Sequence, residues 1–169
     1  MRGLVAMIFG AALAAGAALA QAPAPASNPC ERAERRDLDF YLGDWEVSWE
    51  GGKGANRVVK SVGGCAIEEN FSVVQGAALS GRGLYAYDEA SGRWRMSWAD
   101  DQGGSLMFTG GPYGRDFILW EVRFAPDAPR RRMLFEDVTA GAFTWRWQLS
   151  EDGKAWRDER VVQYARKAP

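Results

Sequence analysis

Glu69, Asp100 and Arg160 each fall on the apolar phase of a segment that alternates between apolar and polar residues. A charge carried into an apolar interior is costly unless it is paired. Glu69 is therefore expected to pair with Arg160, to anchor a polar group of a ligand, or to stand in water at a rim. Two carboxylates whose surroundings push their pKa values apart can serve as acid and base. Glu69 and Asp100 are on that ground the candidates for proton-transfer catalysis, the alternative to simple binding.

Other chemistry is thinly represented. The chain contains no histidine, which excludes Ser-His-Asp and Cys-His catalysis, histidine-rich metal sites and a proximal-histidine haem pocket. Asp100-Asp101-Gln102-Gly103-Gly104 lacks the ligand count of a calcium loop and reads as a turn. Gly51-Gly52-Lys53-Gly54 lacks the length and trailing Ser or Thr of a phosphate loop. Arg130-Arg131-Arg132 cannot form one anion patch on a strand, because consecutive side chains point to opposite faces. No metal and no cofactor is expected. The formal charge of −1 gives no reason to expect a nucleic-acid partner.

The elements that must position the candidate residues are mainly strands. Asn28 before Pro29 has the form of a helix N-cap with proline at the first position, and Glu31 to Leu42 reads as a short helix or a pair of turns ending at Gly43. Period two then takes over, with Trp45, Val47 and Trp49 alternating with Glu46, Ser48 and Glu50. Further strands are expected at about 56–63, 65–74, 79–87, 93–99, 104–110, 115–124, 131–138, 142–149 and 155–166. Between them lie Gly- and Asx-rich stretches such as Val62-Gly63-Gly64, Gly110-Gly111-Pro112-Tyr113-Gly114 and Glu151-Asp152-Gly153-Lys154, which suit tight turns. The expected fold is all-β, an up-and-down antiparallel barrel of about ten strands with a short N-terminal helical turn. Closure removes exposed edges, and a sandwich is the rival architecture.

Alternation then sorts the faces. Cys65, Ile67, Glu69, Phe71 and Val73 share one, and so do Trp94, Met96, Trp98 and Asp100. Trp156, Asp158, Arg160, Val162 and Tyr164 share another, provided that no bulge intervenes. The 8 tryptophans suit an interior that is apolar yet able to orient something through its N–H groups.

The first twenty residues carry one positive charge at Arg2, then an apolar run, then Ala18-Leu19-Ala20. This is the pattern of a signal peptide cleaved after Ala20, and it implies a secreted or periplasmic protein with no membrane span after cleavage. Residues 21–29 read as a linker and 30–169 as one domain. Removing the segment that holds Arg2 takes the formal charge from −1 to −2. In the oxidising compartment implied, Cys30 and Cys65 are expected to form a disulfide.

The segments Asp39 to Val47, Val62 to Phe71, Leu84 to Gly104 and Glu151 to Arg166 resemble a group of bacterial secreted proteins of calycin-like, or lipocalin-like, fold. Gly43-x-Trp45 is similar to the lipocalin motif that opens the first strand. The resemblance implies that Trp45 plugs one end of a barrel and that Arg160 or Arg166 covers it. The second lipocalin motif, Thr-Asp-Tyr, is missing. A likeness to nitrobindin-like barrels extends to the Leu-Gly-x-Trp opening, but the haem-binding histidine of those proteins has no counterpart here.

The expected function is binding of a small apolar or amphipathic molecule inside the barrel. Trp49, Phe71, Trp98 and Tyr164 are the candidate walls; Glu69, Asp100 and Arg160 are the candidate polar groups. Gly43 and Trp45 are structural. A third possibility is an interaction module whose barrel is filled by its own side chains.

Overall fold

In a computed structural model, residues 28–168 other than Pro126 are described. The expected signal peptide and residues 21–27 of the linker lie outside the described residues. Ten strands follow three short 3₁₀ turns. The turns are Pro29–Glu31, Ala33–Arg36 and Asp39–Tyr41. The strands are β1 (Gly43–Trp49), β2 (Gly52–Ser61), β3 (Ala66–Gln75), β4 (Ser80–Asp88), β5 (Arg93–Asp100), β6 (Ser105–Tyr113), β7 (Asp116–Glu121), β8 (Arg130–Glu136), β9 (Ala142–Ser150) and β10 (Arg157–Arg166).

Each strand pairs antiparallel with its successor, and β10 returns to β1 to close the barrel. Trp45 lies opposite Arg166 at that seam. Among the described residues, no helix is long and apolar enough to cross a membrane.

Two of the boundaries that differ from expectation, the start of β2 and the end of β6, do so for one physical reason. Strand β2 begins at Gly52, inside the glycine-rich run read as a turn, and β6 runs on through Gly110 and Gly111 to Tyr113. These glycines are strand residues because something lies against them. A Cβ at Gly52 would meet the Trp49 indole, and one at Gly110 would meet the carbonyl of Ile118 on β7. Glycine in a strand marks a close approach as readily as a turn.

One end of the barrel is packed solid. Leu38 and Tyr41 from the leading turns are buried with Trp45, Trp94, Phe117, Phe135 and Phe143. Trp45, 1% exposed, donates its indole N–H to the carbonyl of Tyr41 at 2.8 Å. The Arg166 guanidinium covers its ring at 4.2 Å and donates to the carbonyls of Leu42 and Ala140. Of the two basic residues considered as its cover, Arg166 fills the role. Gly43 has φ +130°, a conformation that favours glycine, and a Cβ there would also displace that guanidinium. Cys30 and Cys65 are disulfide-bonded, tying the leading turns to the β2–β3 connection.

Candidate functional site

The other end of the barrel is hollow. A cavity of about 420 Å³ opens between the strands there, within the size range of small-molecule sites. Trp49, Trp98, Trp145 and Trp147 form much of its wall, and Glu69, Tyr85 and Tyr164 supply oxygen atoms deeper in. Position follows from register: Glu69 of β3 lies opposite Gly83 of β4, which lies opposite Trp98 of β5. A Cβ at Gly83 would come within 2.8 Å of Glu69 Oε2, so the glycine gives the carboxyl group its room.

Glu69 is 5% exposed. Its Oε2 accepts from the Tyr85 hydroxyl at 2.5 Å and its Oε1 from Asn56 Nδ2 at 2.8 Å. Asn56 Nδ2 also contacts the hydroxyl oxygens of Tyr41, at 2.8 Å, and Tyr164, at 3.3 Å. Desolvation raises the Glu69 pKa above the usual carboxylate range, opposed by the hydrogen bonds from Tyr85, Tyr41 and Asn56. Desolvation, then the neighbouring Glu69 charge, raises the pKa of all three tyrosines, which therefore remain protonated. Glu69 is thus a carboxyl group set in a ring of neutral hydrogen-bonding groups, with no ion pair to it among the described residues.

That arrangement has a pH signature. Burial lifts the folded-state pKa of Glu69 above its unfolded value of about 4.3, so the folded protein holds the proton more tightly than the unfolded chain. Its contribution to stability is complete below the unfolded pKa and is lost as pH rises through the folded pKa. Glu69→Gln cannot titrate. Its stability relative to the parent is expected to rise with pH across that window, as measured by urea unfolding at a series of pH values. Parallel curves for the two proteins would contradict a raised pKa.

The remaining candidates divide. Trp49, Phe71, Trp98, Arg160 and Tyr164 all line the cavity with Glu69. Arg160 does not pair with Glu69; it lies at the open end with its guanidinium carbon 5.8 Å from the Trp49 ring centre. Asp100 is not part of the lining. It turns to its own loop, accepting from the Trp98 indole at 2.9 Å and from the Gln102 and Gly104 amides. These donors, Trp98 foremost, hold its carboxyl below the usual range. Glu69 and Asp100 are therefore not brought together as an acid–base pair.

The shared face assigned to the last strand is also corrected. The pairing of β10 with β9 shifts register between Asp158 and Arg160, leaving Glu159 as an extra residue. Arg160, Val162 and Tyr164 face inward, whereas Asp158 accepts from Arg146 and Gln148 on the outer face. Trp156 lies under the Arg132 guanidinium, 4.1 Å from its ring centre, rather than in the cavity. A bulge adds one residue and reverses the alternation beyond it.

Asn56, Tyr85, Trp145, Trp147 and Glu159 were not singled out as site residues. A signal existed for two of them: Gly81, Gly83 and Tyr85 alternate on one face of β4, and Asn56 stands in phase with Val58 on β2. Trp120 is outward-facing, packed against Tyr113 with ring centres 6.3 Å apart. Among the described residues no group of three or more His, Cys, Asp or Glu side chains is placed to hold a metal ion.

No protein-family model matches the chain, and comparison with curated proteins finds no significant match.

Proposed function

We propose that this is a secreted or periplasmic barrel of calycin-like type that binds a small apolar or amphipathic molecule. The single observation that carries the reading is the division of the barrel, one end packed solid and the other open as a cavity of about 420 Å³ walled by aromatic rings. Exclusion of water by such walls drives apolar binding, while the oxygens of Glu69, Tyr85 and Tyr164 orient what enters.

The open end is kept wide by glycine. The Trp98 indole lies where a Cβ at Gly81 would be, and the Trp49 indole lies where a Cβ at Gly52 would be. Gly81→Ala is therefore expected to push Trp98 toward the cavity and to weaken binding of a fluorescent apolar probe, N-phenyl-1-naphthylamine, with little loss of fold. Saturable binding of that probe at one site by the parent supports the reading, and so does a retained small molecule seen by native mass spectrometry of protein isolated gently from its host. A parent that binds no probe and carries no small molecule overturns it.

A further inference from the structure

Among the described residues Glu69 supplies the only carboxyl group deep in the cavity, and no countercharge lies beside it. Its hydrogen-bond partners, Asn56 and Tyr85, are neutral, and Arg160 is engaged over Trp49 instead. A carboxylate has about four acceptor positions on its two oxygens, so the hydrogen bonds from Tyr85, Asn56 and Tyr41 do not exhaust it. The group lines the cavity, where its remaining acceptor capacity is offered to whatever enters.

The walls add no countercharge at that depth. The Trp98, Trp145 and Trp147 rings supply apolar surface, and the Tyr85 and Tyr164 hydroxyl oxygens add lone pairs beside Glu69. At the open end Arg160 and Glu159 line the cavity together, so the entrance carries both signs. An anion seated deep would meet a carboxyl group with no cation beside it. A wholly apolar molecule would cover Glu69 without meeting its acceptors, which is costly for a buried polar group.

We infer that the cavity takes a cationic amine with an apolar body, its ammonium group seated against Glu69 and its hydrocarbon among the tryptophans. This rests on the binding reading above and specifies the head group of the ligand. An ammonium N–H donates to Glu69 Oε1 or Oε2 as a charge-assisted hydrogen bond, and its charge stabilises the ionised carboxyl group that burial disfavours.

Three probes with one chain and different heads test it: octylamine, octanol and octanoate, titrated calorimetrically near neutral pH into the parent and into Glu69→Gln. Octylamine is expected to bind the parent about tenfold or more tightly than octanol, with octanoate weakest. In Glu69→Gln the ratio of amine to alcohol affinity is expected to collapse toward one. Octanol or octanoate binding as tightly as octylamine overturns the amine inference and leaves the binding reading standing, as does a full amine preference in the variant. Failure of all three probes to bind the parent overturns the binding reading and the inference with it. Should Glu69→Gln not fold, the rank order on the parent still decides.

Discussion

Trp45→Ala is expected to destabilise the protein by about 3–5 kcal/mol, a large share of the stability of a domain of this size. Trp45 is 1% exposed and is held on several sides. Tyr41 accepts its N–H, Phe143 meets its ring edge-to-face with centres 5.0 Å apart, and Arg166 covers it across the β1–β10 seam. Truncation leaves a void that these neighbours cannot collapse into, because each is fixed by its own strand or turn. It also orphans the Tyr41 carbonyl and uncovers the seam.

The contrast with Trp98 makes the expectation specific. Trp98 is half-buried and borders a space that is already open. Its removal enlarges the cavity without creating a new one, so Trp98→Ala is expected to cost about 1–2 kcal/mol for partial apolar burial and the hydrogen bond to Asp100. Denaturant unfolding of the two variants checks the difference. Equal losses would mean that the open end is as tightly packed as the plugged one.

The second large effect concerns the disulfide. Cys30 and Cys65 are 35 residues apart in sequence, and closing a loop of that length in the unfolded chain corresponds to about 3–4 kcal/mol by chain entropy. Replacing both with Ser is expected to cost that amount by urea unfolding. The bond also anchors the turns that feed Leu38 and Tyr41 into the plugged end, so its loss frees the segment leading to the core. In protein isolated from its host and denatured without reductant, no thiol should react with an alkylating reagent. Two reactive thiols would show that the protein lacks the bond.

The fold was legible because its signals are local. Ten strands were expected and ten form; the alternation in Trp45, Val47 and Trp49 put Trp45 inside, and Asn28 caps the first turn by accepting from the Cys30 amide at 3.0 Å. Period-two patterning, turn residues and caps act over a few positions, so they can be read along the chain. The inward setting of Glu69 was equally visible, since its neighbours Ile67 and Phe71 define the phase.

The partners of Glu69 were not visible, because they arrive from other strands. Arg160 matched it in charge, yet the barrel brings Asn56 from β2 and Tyr85 from β4 to its oxygens and holds Arg160 at the open end. The extra residue Glu159 leaves no mark in a pattern of alternating types, so Trp156 and Asp158 were placed on the wrong face. The sequence by itself pointed to the strand order and the cysteine pair, and the lipocalin resemblance implied the plug. Only the tertiary structure decided that the sheet closes, that one half of it stays hollow, and that a carboxyl group lies there without a countercharge. Closure, register and cavity are sums over contacts between residues far apart in the chain, and no local period encodes them.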